Sequence, residues 1–269
     1  MKTTTTLSFV AAFAAASAFG DAVSDATATA VDLAEKIPDA TAGWETKLSA
    51  GLESYSGNTD KDAVNGRIET QKSDGDTVVI ASVEGAWEQQ EQTYVREDGS
   101  TYTDDERTVG NAKFDVNVKE RFDGFFVYGS VNGKHDGFAN LKYRFVESLG
   151  LGTYLVDEDA LKFSVEGGFA YVEEKIGSEK DDYPALRLAE RVDWKPAWAE
   201  GVSFYETAAL LWDLDDTDHY LVAAEAGADV PLAGSLSLVL KAAVDYNSDP
   251  GEGVEKTDRK VLAQIAYTF

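Results

Sequence analysis

From Trp44 to the last residue, apolar and polar side chains alternate in short segments separated by clusters of Gly, Asp, Asn, Ser and Pro. No other property of the chain restricts its fold so strongly. Alternation with period two is the signature of a β-strand with one greasy and one polar face. It continues to the end of the chain in Ala263-Gln264-Ile265-Ala266-Tyr267-Thr268-Phe269. A terminal strand of this kind must pair, because an open edge leaves its amides and carbonyls unsatisfied.

The segments fall at 44–55, 62–72, 77–91, 108–122, 125–135, 140–155, 161–173, 183–195, 202–212, 219–230, 235–247 and 257–269, an even count of about twelve. Their connections alternate between tight turns, such as Asp123-Gly124, and longer acidic stretches at 92–107, 174–182, 213–218 and 248–256. Short turns at one end and longer loops at the other are what an antiparallel up-and-down barrel of hairpins produces in a membrane.

The faces carry the same message. Ala112, Phe114, Val116 and Val118 share one side of their strand, with Lys113, Asp115, Asn117 and Lys119 on the other. A soluble barrel would turn the greasy face inward, but twelve strands enclose a lumen too wide for such side chains to fill. Turned inside out, the pattern fits lipid outside and polar contacts inside. Trp44, Trp87, Phe122, Phe125, Trp194, Trp198, Trp212, Tyr220, Tyr246, Tyr267 and Phe269 fall near strand ends, where interfacial girdles sit. The fold expected is an all-β transmembrane antiparallel barrel over 44–269.

The first residues predict a different fate. A charged start at Lys2, an apolar run from Leu7 to Phe19 and the Ala16-Ser17-Ala18 motif read as a secretory signal peptide over 1–18. The Ala-, Thr- and Asp-rich stretch 19–43 reads as a flexible periplasmic lead-in. No later segment approaches the 18 or so uninterrupted apolar residues of a spanning helix.

Composition narrows function. With 24 basic against 49 acidic residues the net charge is −25, which argues against nucleic acid as a partner. The absence of cysteine excludes disulfide frameworks and thiolate metal sites, and no cofactor is expected.

Strand parity assigns Arg67, Glu84, Glu88, Asp115, Lys119, Arg121, Arg144, Glu166, Arg187, Arg191, Glu225, Lys241 and Asp245 to the lumen, with Lys47, Glu53, Lys134, Asp229 and Lys260 on the same faces. This wall is nearly neutral, so the excess negative charge belongs to loops and lead-in. A mixed-sign lumen can brace the wall or narrow a pore. Acidic loops can attract cations, or simply keep the chain soluble. Parity also turns Glu147 and Glu190 toward lipid; a bulge at Gly150 and Gly152 would relieve Glu147, and nothing relieves Glu190.

The segments LKYRF, LGLGTYLV, VEGGFAYVEEK, ALRLAERVDW, ADVPLAGSLSL and DYNSDPGEGVEKTDRKVLAQIAYTF, preceded by WETKLSAGLESYSGNTD, resemble in order and spacing the family of salt-induced outer membrane proteins, a domain of unknown function. The resemblance covers nearly the whole chain from Trp44. It implies a bacterial outer membrane barrel with no established activity, surrounded by lipid and lipopolysaccharide. The final Phe269 also looks like the C-terminal signature read by the barrel assembly machinery.

Two residue sets were candidates for chemistry. His135 beside Asp136, and His219 beside Asp218, could activate water or a serine, but neither has a nucleophile at recognisable spacing, and the expectation is a protein that is not an enzyme. Asp213, Asp215, Asp216 and Asp218 could hold a divalent cation weakly, although an EF-hand's glycine bend and closing glutamate are missing. Two functions remain: a narrow pore for ions or small solutes, or a non-conducting envelope protein whose acidic loops bind cations near lipopolysaccharide.

Overall fold

The computed structural model describes residues 43–56, 61–95, 101–137, 139–250 and 254–269, with side chains described throughout except at 61, 88–95 and 101–109. The residues read as a signal peptide, and all but Gly43 of those read as a lead-in, therefore lie outside the described residues, as does the side chain of Glu88. Twelve strands follow one another: β1 Glu45–Ser56, β2 Lys61–Asp74, β3 Thr77–Val95, β4 Thr101–Phe122, β5 Phe125–Asp136, β6 Leu141–Asp157, β7 Leu161–Ile176, β8 Glu179–Trp194, β9 Ser203–Asp213, β10 Tyr220–Ala233, β11 Leu236–Asn247 and β12 Thr257–Thr268. Each pairs antiparallel with its neighbours in sequence, and β12 pairs with β1 to close the barrel.

Closure explains the chain's last residues. β1 and β12 are in register from Lys47 opposite Thr268 to Ser56 opposite Arg259, and the Phe269 amide donates to the Thr46 carbonyl at 2.9 Å. No strand is left as an edge.

Alternation survives in three dimensions, with the apolar side outward. Leu52, Leu149 and Phe169 are 68 %, 66 % and 69 % exposed. Phe114 and Val116 share this face; Phe114 rests on Phe145 with ring centroids 6.1 Å apart. Aromatic residues border the band. At the end holding both ends of the barrel, Trp194, Trp198 and Phe204 cluster, Phe122 stacks on Phe125, and Tyr267 meets Phe269. At the other end Tyr220 stacks on Tyr246. Along β11, Leu236 lies opposite Tyr267 and Tyr246 closes the band ten residues later. At 3.4 Å per residue and a tilt near 40°, that is about 26 Å of height, the thickness such a barrel presents to hydrocarbon.

Two stretches expected as loops are strand. Val95 still pairs with Thr101, so 92–107 is chiefly an extension of the β3–β4 hairpin. In 174–182, only Gly177 and Ser178 turn, with Gly177 at φ +58°, and Ile176 pairs with Glu179. Dense charge in these segments marks hairpins rising above the apolar band rather than irregular chain.

The bulge expected at Gly150 and Gly152 is absent. β6 shifts register at Leu141/Tyr143 and Tyr154/Val156, and Glu147 keeps an outward position opposite Tyr171. Gly150 and Gly152 serve the lumen instead: a Cβ at Gly150 would lie 2.7 Å from the Tyr128 ring, and one at Gly152 2.3 Å from the Phe126 ring. Glu190 also faces outward on an unshifted β8, with outward Glu206 on β9, four and two residues respectively from the girdle's Trp194 and Phe204.

An outward Phe169→Arg substitution, near the middle of β7, should destabilise the barrel by about 2–4 kcal/mol, whereas inward Ala223→Arg should still fold. Heat-modifiable gel migration after refolding into detergent checks this; equal loss in both variants would contradict the assigned faces.

A charged and cross-braced lumen

Contacts between strands that are not neighbours can form only across the barrel's interior, and they locate the inward charges. Near the end where the chain enters, Lys47 on β1 pairs with Asp229 on β10, and Lys119 on β4 meets Glu166 on β7 at 2.6 Å. Arg187 joins the same carboxylate at 2.8 Å. At mid-height, Lys241 on β11 bridges Glu84 on β3 at 3.2 Å and Glu225 on β10 at 3.0 Å, while Arg67 reaches Glu84 at 2.9 Å. Toward the loop end, Lys260 pairs with Glu53 at 3.1 Å and Lys134 on β5 with Asp245 on β11 at 2.9 Å. Arg144 pairs with Glu174, Arg121 with Asp157, and Arg191 with Asp193. Asp115 accepts a hydrogen bond from Asn132.

Except for Glu88, every candidate lumen residue is thus inward and engaged. Neutral groups extend the network: Asn65 donates to Glu53 at 3.1 Å, and Gln264 donates to Asn65 at 2.9 Å.

The Lys134–Asp245 pair has a geometric consequence. β5 and β11 are half the barrel apart. Twelve tilted strands wrapped into a circle would hold opposite walls roughly 24 Å apart, yet an extended lysine, an aspartate and one hydrogen bond span only about 13 Å. The cross-section is therefore oval, shortest between β5 and β11.

Two stretches of the inner wall differ. β12 and β1 to β3 carry Gln264, Glu53, Asn65 and Glu84, all at most 6 % exposed. On β8 to β11 the inward row Ala189, Ala209, Ala223, Asp245 runs through successive register partners. Small side chains leave this wall bare, and Ala223, although inside the barrel, is exposed. Beneath it, at the mouth, a cavity of about 890 Å³ touches Ser203, Asp229, Ser237 and Thr268.

Aromatic rings lie flat against the β5–β7 wall. Tyr128 covers Gly150 and Gly168, where a Cβ would come within 2.7 Å of its hydroxyl, and Arg187 lies 4.9 Å above its ring. Lys119 sits 4.8 Å over Phe126. Stacking of this kind orients both cations toward Glu166.

Strand alternation separates His135 from Asp136, and the loop turns His219 toward Asp213 instead of Asp218. His135 faces outward and donates from Nδ1 to the Lys142 carbonyl, while Asp136 points inward to Lys134. His219 is buried, 3.1 Å from Asp213 and edge-on to Tyr183. Asp213 also accepts the amides of Asp215 and Asp216, so this carboxylate braces the loop; Asp215, Asp216 and Asp218 are exposed. Among the described residues no three acidic or histidine side chains converge as a metal-holding group.

Parity reasoning did not find Glu174, Asp157, Tyr55, Tyr128 or Tyr205. Glu174 continues the inward series Glu166, Gly168, Ala170, Val172 and was legible had the strand been run to its end.

Lys241→Ala should cost about 3 kcal/mol, since the buried Glu84 is left with Arg67 and a more distant Lys260 and the partly exposed Glu225 loses its cation, while Lys134→Ala, whose pair is partly open to water, should cost no more than about 1 kcal/mol. Denaturant midpoints in detergent measure both, and equal effects would contradict the mid-height lattice.

Comparison of the sequence with curated proteins found no match. Among solved structures, a NanC porin is 12 % identical, covers 82 % of this chain and 100 % of its own, and superposes with a TM-score of 0.51. A KdgM porin (8 % identity, 83 % and 99 % covered) and the outer membrane phospholipase A of Escherichia coli (13 %, 82 % and 89 %) follow at TM-scores of 0.46 and 0.43, too low to carry an argument. Such likeness concerns the fold, which is that of outer membrane barrels. The family description "Protein of unknown function, DUF481" matches residues 48–269, and the chain belongs to that family.

Proposed function

We propose that this protein is a narrow pore of the bacterial outer membrane, passing ions or small solutes along the bare wall of β8 to β11. One observation carries the reading: inward-facing groups on this wall are accessible to solvent. Ala223 is exposed, the Asp245 side chain is 41 % exposed, and those of Arg191 and Asp193 are 44 % and 39 %. A fully plugged lumen would bury them, as the β1–β3 wall buries Glu53 and Glu84.

The path is off-centre, and Lys47 and Lys134 arch over it near its two ends to reach Asp229 and Asp245. Positive and negative groups alternate along it, so weak selectivity between small cations and anions is expected. Lipid and lipopolysaccharide would surround the apolar band, and the Phe269-terminated strand would be the segment engaged by the assembly machinery. The 213–218 loop would offer exposed carboxylates to divalent cations at the cell surface.

The second reading, a non-conducting envelope protein, draws on the Lys134–Asp245 pair, which ties opposite walls together. Conductance separates the two. In planar bilayers the wild-type protein should give small, stable single-channel steps, and Ala223→Trp should reduce them at least severalfold while leaving heat-modifiable folding intact. Absence of steps from folded wild-type protein would favour the non-conducting reading.

A further inference from the structure

Among the described residues, three neighbouring side-chain oxygens on the inner wall have no hydrogen-bond partner. Asn117 on β4, Ser130 on β5 and Ser148 on β6 are consecutive register partners and form one continuous strip. The two serines are only 7 % and 8 % exposed, and the Asn117 Oδ1, Ser130 Oγ and Ser148 Oγ atoms are buried and unbonded. The same row continues into Ala170 and Ala185, so small apolar side chains are accommodated at this height. Buried hydroxyls without partners destabilise a fold, and replacing them with alanine removes that penalty. Their grouping on a lumen wall calls for a partner that comes and goes.

Arg187 holds the neighbouring ring in place. Tyr128, two residues from Ser130 on the same inward face, leans from β5 over Gly150 and Gly168, and the Arg187 guanidinium on the adjoining β8 lies 4.9 Å from its ring centre while holding Glu166. Glu166 keeps a second cation, Lys119, so Arg187 can leave without stranding the carboxylate. On its departure the Tyr128 face is freed beside the strip.

We propose that Asn117, Ser130 and Ser148, with the face of Tyr128, form a subsite for an uncharged polyhydroxylated solute inside the pore. Two hydroxyls and a carboxamide offer donors and acceptors but no net charge, which suits hydroxyl groups rather than a free ion. The aromatic face accepts the apolar side of a sugar or polyol. The subsite rests on the pore reading.

Sorbitol added to wild-type protein in planar bilayers should reduce the single-channel current in a saturable way. In the Ser130→Ala/Ser148→Ala double variant the half-blocking concentration should rise about tenfold, as expected for two lost hydrogen bonds. Its sorbitol-free conductance should stay unchanged, and its denaturant midpoint should be equal or higher. Conducting wild-type protein that sorbitol does not block, or that is blocked equally in the double variant, overturns the subsite and leaves the pore standing. Folded wild-type protein that does not conduct overturns both.

Discussion

Charge enclosed by a barrel whose outside is hydrocarbon has to be neutralised within the barrel. The twelve described strands pair with one another all the way round, which is the condition for spanning a bilayer without helices. Side chains then sort by face, and the inward ones include Arg67, Lys119, Lys134, Arg187, Lys241 and Lys260 among many carboxylates. Leaving any of the deep ones alone is costly, because a buried charge without its partner loses hydration and gains nothing in return. Ion pairs such as Lys241 with Glu84, and Lys260 with Glu53, are the solution the fold adopts.

The same lattice shapes the cavity. Long basic side chains cross from one wall to carboxylates on another, and the β5–β11 pair is short enough to flatten the cylinder. Filling is uneven, since bulky polar residues crowd β12 and β1 to β3 while Ala189, Ala209 and Ala223 leave β8 to β10 open. On the pore reading, structural bracing and a hydrated path coexist: one wall supplies stability, the other supplies room.

Much of this was legible in the sequence. Twelve strands, their order and which residues face inward follow from period-two alternation, a signal that depends only on backbone geometry. Boundaries failed where charge imitated loop: Glu174, Lys175, Lys180 and Asp182 belong to a hairpin that stands above the apolar band, where a strand no longer needs a greasy face. The glycines misled for a different reason. Gly150 and Gly152 lack side chains to make room for Tyr128 and Phe126 from the next strand, a requirement set by tertiary neighbours. Pairing partners were also out of reach, because parity tells which wall a lysine leaves and not which wall it touches.

The central claim is that hydrocarbon surrounds this chain while water reaches the inner wall of β10. Because the chain has no cysteine, single cysteines at 221 to 229 can each carry a spin label in bilayer-reconstituted protein, read by collision with oxygen, which concentrates in lipid, and with a water-soluble nickel complex. Nickel access should peak at 223 and 225, with oxygen access highest at 222, 224, 226 and 228. An inverted alternation, or none, would contradict the claim.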